Sequence, residues 1–82
     1  MDFKFSPHAV EELEERAIPL QVVMIVLNHP DQITSEQKGR SAYQAEVEIN
    51  GKAYIVRAIV EPDGTVVTVY RTSKVTKYRR EE

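Results

Sequence analysis

Cationic and tyrosine side chains gather between residues 66 and 80, where no carboxylate accompanies them. Between positions 66 and 80 the sequence contains Tyr70, Tyr78 and five bases: Arg71, Lys74, Lys77, Arg79 and Arg80. Guanidinium groups form bidentate hydrogen bonds with phosphate, and a tyrosine ring can stack on a nucleobase. These side chains predict a surface that binds a polyanion such as RNA, with a solvated basic end of the chain as the alternative.

The charge is distributed unevenly along the chain. The formal net charge is −2, but residues 1–36 contain seven acids and two bases, whereas residues 37–82 contain nine bases and six acids. Such an asymmetry can present a basic surface on an acidic protein. It is weaker than the strongly basic balance that is usual for a dedicated nucleic-acid-binding domain.

Arg57 is the candidate whose sequence neighbours are apolar. Ile55 and Ile59 lie two residues to either side of it in a predicted strand. A charge in such surroundings requires a partner. The partner is either a phosphate group or the carboxylate of Glu46 on the neighbouring strand, and the sequence favours neither.

The two histidines have different interpretations. His8 lies in the first turn of a predicted helix with Glu12 four residues later, so a surface ion pair competes with a role in proton transfer. His29, next to Pro30, is interpreted as a helix-stop residue. The chain has no cysteine and no spaced cluster of histidines and acids, so we expect neither a metal site nor a cofactor.

Length and composition indicate a small soluble domain. A chain of 82 residues that is 41% hydrophobic has room for one domain, residues 1–82, with one modest core. Its first residues lack the pattern of a signal peptide, and no apolar run approaches the length of a membrane span. We therefore expect a cytoplasmic location without membrane contact, while the oligomeric state is not indicated.

The first part of the chain predicts a short strand followed by two helices. Phe3 and Phe5 alternate with polar residues, and Ser6-Pro7 is a typical helix start. The first helix is predicted over residues 7–17, with an apolar stripe and a solvated acidic side. The stripe consists of Val10, Leu13 and Ala17, and the solvated side of Glu11, Glu12, Glu14 and Glu15.

The second predicted helix covers residues 20–28 and is apolar nearly all round. It follows Pro19, which we place at the first helical position, and it stops at the segment Asn28-His29-Pro30. Six apolar residues in a row could also form a buried strand, but Pro19 and this stop favour a short buried helix.

A hairpin is predicted around Asn50-Gly51. Ile33-Thr34 can open an earlier strand, residues 35–41 are interpreted as a loop, and alternation of apolar and polar residues begins at Ala42. Asn-Gly favours a two-residue type I′ turn. That turn places Gln44 opposite Arg57 and turns Arg57 away from the core face, which consists of Tyr43, Ala45, Val47, Ile49, Tyr54, Val56, Ala58 and Val60.

The second turn, residues 61–64, leaves the next register open. A two-residue loop places Arg57 opposite Tyr70 and turns Val67 and Val69 towards the core, whereas a three-residue loop with a glycine bulge places Arg57 diagonal to Arg71. A last helical turn is predicted over residues 74–80, capped by a hydroxyl of Thr72-Ser73. The element order is β-α-α-β-β-β, an α+β fold of two helices on an antiparallel sheet.

The sequence resembles the small DUF4258 family and, through it, toxins of the RelE/ParE type with their metal-independent ribonuclease fold. The likeness spans nearly the whole chain, and the terminal block, from Val67 to Val75 with Lys77-Tyr78, is its most specific part. Earlier segments are Phe5-Ser6-Pro7-His8-Ala9, Glu15-Arg16-Ala17-Ile18, His29-Pro30-Asp31-Gln32-Ile33 and Lys38-Gly39-Arg40. Two departures occur in the first helix, where relatives often have Arg at Glu12 and Gly at Ala17.

The resemblance implies a RelE/ParE-like fold and, by analogy, a metal-independent endoribonuclease acting on RNA. Such an enzyme needs a base for the 2′-OH, a cation on the phosphate and an acid for the leaving oxygen. The residues assigned to catalysis are His8, Arg57, Arg71, Lys74 and Tyr78. The residues assigned to nucleic-acid binding are Arg57, Tyr70, Arg71, Lys74, Lys77, Arg79 and Arg80.

The alternative function is a non-catalytic module that uses the same fold to bind a protein. A cognate antitoxin or another protein would be the partner, bound at a sheet edge or on the apolar helix pair. An acid that holds Arg57 and the absence of a cleft beside Arg71 would favour this alternative.

Overall fold

Two helices lie on one face of a five-stranded mixed sheet in the computed structural model, which describes residues 2–75. The helices are α1 (Pro7–Glu15) and α2 (Leu20–Asn28). The strands are β1 (Lys4–Phe5), β2 (Gln32–Ser35), β3 (Ser41–Ile49), β4 (Lys52–Val60) and β5 (Thr65–Thr72). They lie in the spatial order β1-β5-β4-β3-β2, and a short 3₁₀ turn joins β2 to β3. The predicted α+β class is confirmed.

The prediction of a purely antiparallel sheet with four strands is wrong. β1 pairs in parallel with β5, so that Lys4 lies beside Thr65 and Phe5 beside Val66. The N–H of Ser6 extends this pairing by donating to the carbonyl of Val66 at 3.0 Å. Because β1 pairs with a strand about sixty residues away, no turn sequence specifies its direction.

Helix α1 begins as its sequence predicts and ends two residues early. The side chain of Ser6 accepts the N–H of Ala9 at 3.1 Å, and Pro7 follows it. At the other end the N–H of Ile18 donates to the carbonyl of Leu13 at 2.9 Å, and Ala17 takes a left-handed conformation with φ 51°. This Schellman arrangement stops the helix, although an alanine occupies the position that favours glycine.

The predicted faces of α1 also require correction. Ala9 and Glu12 are its buried residues, whereas Val10 and Ala17 are exposed. Ala17 leaves the stripe because the helix has already ended. Glu12, predicted on the solvated side, is buried because its carboxylate binds the backbone of β5.

Helix α2 has the predicted bounds but is not buried all round. Val23, Val26 and Leu27 pack towards β3 and β4. Leu20, Met24 and Ile25 are exposed. Pro19 lies just before the helix instead of in its first turn.

The Asn50-Gly51 hairpin has the predicted turn and register. Both turn residues have positive φ, 52° for Asn50 and 82° for Gly51, as a type I′ turn requires. Gln44 lies opposite Arg57, as predicted. This turn therefore fixes which side chains of β3 and β4 face the helices.

The β4–β5 hairpin combines features of the two predicted registers. Arg57 lies opposite Tyr70, as for a two-residue loop, but Val60 pairs with Val66, which leaves Val67 as an extra residue in β5. The core therefore receives Val66 and Val69, whereas Val67, which the two-residue loop would have turned towards the core, is the bulged residue.

The core lies between the helices and the sheet. Its buried residues are Ala9, Ile18, Val23, Val26, Leu27, Ala45, Ile49, Val56, Ala58, Val60, Val66 and Val69. Within residues 2–75 no helix has the length and apolar character that crossing a membrane requires. Of the predicted turn over residues 74–80, the N–H of Lys74 donates to the Thr72 hydroxyl at 3.1 Å, and the positions after Val75 lie outside the described residues.

Candidate anion-binding site

The structure separates the arginines that the sequence placed in one site. Arg57 lies opposite Tyr70, and Arg71 lies opposite Val56. Since successive residues of a strand point to opposite faces, Arg57 and Tyr70 lie on the face away from the helices. Arg71 lies on the helix face with Val56. The two guanidinium groups therefore cannot converge on one phosphate within a single face of the sheet.

Arg57 is held by side chains of the protein. Its guanidinium donates to the hydroxyl of Tyr70 and lies 3.4 Å from the carboxylate of Glu36. The Thr34 hydroxyl donates to the same Glu36 oxygen at 3.2 Å. Only 13% of the Arg57 side chain is exposed. These contacts favour a structural role, because a phosphate would have to displace Glu36.

The sequence left Glu46 and a phosphate as alternative partners of Arg57, and the structure brings the carboxylate of Glu36 to it, which neither alternative named. Glu36, from the connection between β2 and β3, supplies the carboxylate that pairs with Arg57 in the described chain. The backbone N–H of Glu46 donates to the Asp31 carboxylate at 2.9 Å. Strand alternation placed Glu46 near Arg57 but could not predict where the β2–β3 connection, which contains Glu36, lies.

Gln44 continues the polar row beside Arg57. It is buried between β2 and β4, and its side-chain amide donates to Gln32 at 3.1 Å. Ile55, two residues from Arg57 on the same face, is also buried. This part of the sheet is therefore not an open platform for a nucleobase.

His8 belongs to a cluster around the buried carboxylate of Glu12. The Nε2 atom of His8 lies 3.3 Å from Glu12, and the Arg16 guanidinium lies 3.2 Å from the same oxygen. The other Glu12 oxygen accepts the N–H of Val69 at 2.9 Å. Glu12 therefore stabilises the attachment of α1 to β5, and the exposed His8 lies at the rim of this cluster. The i, i+3 spacing of Ala9 and Glu12 was the sequence signal for this burial.

The side chains around Arg71 differ from those that the sequence predicted. Its guanidinium carbon lies 4.5 Å from the centroid of the Tyr54 ring, and the ammonium of Lys52 lies 5.6 Å from the same centroid. Neither cation is in an ion pair with a carboxylate of residues 2–75; the pairs there involve Glu12, Glu36 and Glu61. We call Lys52, Tyr54 and Arg71 the basic patch.

The two hairpins assemble the basic patch. Lys52 and Tyr54 are alternate residues of β4, so they share a face. The β4–β5 register places Arg71 opposite Val56, the next residue on that face. Lys74, an exposed residue, follows two positions after β5 ends. The sequence predicted Arg71 and Lys74 but missed Lys52 and Tyr54, although the Asn50-Gly51 register already placed Tyr54 on the helix face.

The side chains of the basic patch suit the binding of an anionic group. Two cations beside one aromatic ring can neutralise an anionic group, and the ring supplies an apolar surface. No group of three or more histidines or acids within residues 2–75 is arranged to hold a metal ion. Of the other predicted residues, Lys77, Tyr78, Arg79 and Arg80 lie outside the described part of the chain.

Comparison with known proteins gives one family match. The sequence profile of DUF4258, a domain of unknown function, matches residues 5–71. No curated protein and no solved structure matches the chain. The matched range includes all three residues of the basic patch and the Glu12 cluster.

Proposed function

The chain belongs to the DUF4258 family, and we propose that this member is an RNA-binding domain whose basic patch contacts the phosphate backbone. The observation that carries the proposal is the convergence of Arg71 and Lys52 on the Tyr54 ring without a carboxylate partner in the described chain. A patch of this kind gains affinity by releasing counterions from the nucleic acid.

The composition of the basic patch favours an unpaired strand over a duplex. A tyrosine beside cations can hold a splayed base while the cations bind the adjacent phosphates. Arg71 lies over this ring, with 4.5 Å between its guanidinium carbon and the ring centroid. The basic second half of the sequence adds a long-range attraction for the same ligand.

The geometry supports binding better than cleavage. Metal-independent cleavage requires a base, a cation and an acid around one phosphate. Arg57 and Arg71 lie on opposite faces, and His8 contacts the buried Glu12. We also propose descent from a RelE/ParE-like toxin. This part of the proposal is supported by the sequence segments that resemble such toxins.

Fluorescence anisotropy with a short labelled oligouridine RNA at low salt tests the proposal. Arg71→Gln and Lys52→Gln should each weaken binding several-fold and reduce the slope of log K against log salt by about 0.7–1. Lys4→Gln is the charge-matched control, because Lys4 pairs with Thr65 at the far end of β5. Equal losses in all three variants, or no binding by the unmodified protein, would reject the proposal.

A protein-interaction module is the second candidate function. The observation that favours it is the Glu36 carboxylate beside Arg57, which is the arrangement the sequence associated with a non-catalytic role. In this function a cognate antitoxin or another protein would be the partner, and the basic patch would not be the contact surface.

A further inference from the structure

The turn at Asn50-Gly51 contains the two groups from which a succinimide ring forms. The amide carbon of an asparagine can be attacked by the backbone nitrogen of the next residue, and glycine shields that nitrogen least because it has no side chain. Asn50 and Gly51 are both exposed. No atom beyond the chain neighbours of Gly51 lies within 4 Å of the point that a Cβ atom on it would occupy. No neighbouring part of the protein therefore shields Gly51.

These two groups are not held by hydrogen bonds within residues 2–75. The turn connects Ile49 to Lys52, which pair across β3 and β4, and the Gly51 N–H lies outside that ladder. Neither this N–H nor the Asn50 side chain makes a hydrogen bond to another residue of the described chain. Ring closure therefore has no hydrogen bond of the reacting groups to break.

The chemically related pair Asp63-Gly64 is held by the structure. Gly64 is buried, and its N–H donates to the carbonyl of Glu61 at 2.9 Å. The Asp63 carboxylate accepts the N–H of Thr65 at 2.9 Å. Succinimide formation there would break both hydrogen bonds, so the two glycine turns differ although their sequences look alike.

Asn28, the other asparagine of the chain, is also held. Its side-chain amide donates to the carbonyl of Met24 at 2.8 Å. The N–H of His29, which would be the attacking group, donates to the carbonyl of Ile25 at 2.7 Å. Because both hydrogen bonds must break first, conversion at Asn28 should be slower than at Asn50 by about tenfold or more.

We propose that Asn50 is a self-modifying site that loses its side-chain amide to the backbone nitrogen of Gly51. This nitrogen gives up its proton and bonds to the amide carbon of Asn50, and the bond from that carbon to the amide nitrogen breaks, so that ammonia leaves. Water then adds to either carbonyl carbon of the succinimide and opens the ring to aspartate or isoaspartate. One water is consumed and one ammonia released, without an oxidant or a reductant.

Either product changes the basic patch, which begins two residues later at Lys52. Aspartate makes the formal net charge one unit more negative than its present −2 and places the new charge near this lysine. Isoaspartate lengthens the backbone by a methylene group, so the two-residue turn can no longer pair Ile49 with Lys52 in the same geometry. The modification thus regulates the patch, and this consequence for RNA binding rests on the proposed function.

Mass spectrometry of the full chain during incubation at mildly alkaline pH tests the modification, since alkali removes the proton of the attacking nitrogen. The peptide containing Asn50 should gain the mass difference between an amide and an acid about tenfold or more faster than the peptide containing Asn28. Asn50→Gly is the matched control, because Gly-Gly also suits the type I′ turn but has no amide to lose. Equal rates at Asn50 and Asn28, or no conversion at Asn50, would overturn the proposal.

The effect on the basic patch is measured first without RNA, by two-dimensional NMR. Conversion should shift the signals of Lys52 and Tyr54, and it should weaken the binding of the labelled oligouridine several-fold. Asn50→Gly, incubated in the same way, should keep its spectrum and its affinity. Unchanged signals or an unchanged RNA affinity after conversion would overturn the regulatory part. If the fresh protein binds no RNA while Asn50 converts and the signals shift, the proposed function fails and the modification stands.

Discussion

Glu12 accepts a hydrogen bond from the backbone N–H of Val69, 57 residues later in the chain, at 2.9 Å. Arg16, which directly follows α1 and lies one turn beyond Glu12, donates to the carbonyl of the same Val69 at 3.2 Å. β1 pairs with β5 only at Thr65 and Val66. Beyond that point the side chains of Glu12 and Arg16 take the place of a neighbouring strand. They form the hydrogen bonds that the N–H and carbonyl of Val69 would otherwise make with such a strand.

Glu12→Ala should therefore destabilise the protein strongly. It removes the acceptor of a buried N–H and leaves Arg16 without its carboxylate, which together cost about 2–4 kcal/mol. Unfolding in urea measures the change. Glu11→Ala, on the exposed side of the same helix, is the control and should stay within about 0.5 kcal/mol of the parent protein. Equal stabilities of the two variants would contradict the structural role of Glu12.

Ala17→Gly should stabilise the protein. Ala17 has φ 51°, and a left-handed conformation costs a non-glycine residue about 1 kcal/mol. The expected result is a rise in melting temperature of a few degrees. Ala53→Gly is the matched control, because Ala53 is exposed in the extended strand β4 and its replacement should lower the melting temperature. A fall for both variants would argue against the left-handed cap.

Tyr70→Phe should lower stability by about 1 kcal/mol, because the phenylalanine ring cannot accept the hydrogen bond of Arg57. RNA affinity should remain unchanged, since Arg57 lies on the face opposite the basic patch. Tyr43→Phe is the control, because its hydroxyl makes no hydrogen bond to another described residue, and it should leave stability nearly unaltered. A large loss of RNA affinity in Tyr70→Phe would return Arg57 and Tyr70 to the binding site.

Asp63 should make a small acid-dependent contribution to stability. The N–H of Thr65 donates to its carboxylate at 2.9 Å, and this bond lowers the pKa of Asp63 below its ordinary value near 3.8. The unfolded chain then binds the proton more tightly than the folded one, so the contribution is present above pH 3.8 and is lost as the pH falls through the lower folded value.

An NMR titration of the Asp63 carboxyl checks the direction of this pKa shift. Asp63→Asn keeps an oxygen acceptor for Thr65 but cannot titrate. Its free energy of unfolding should change less between pH 6 and pH 3 than that of the parent protein. A pKa of Asp63 at or above its ordinary value would refute the prediction.

The sequence predicted the candidate site only in part, because it left the register between β4 and β5 open. The Asn50-Gly51 turn determined nine residue pairs between β3 and β4, because only a few turn geometries suit that dipeptide. The next turn allowed two registers, and the structure resolved them with a bulge at Val67. That bulge, together with strand alternation, determines that Arg71 joins Tyr54 instead of Arg57.

By itself the sequence determined the local elements: the start of α1 at Ser6-Pro7, the bounds of α2 and the hairpin at Asn50-Gly51. These depend on backbone preferences and side-chain periods within a few residues. Only the tertiary structure decided the parallel pairing of β1 with β5, the burial of Glu12 and the separation of Arg57 from Arg71. Each of these depends on a backbone group or a strand register contributed by residues far away in the chain, which no local pattern specifies.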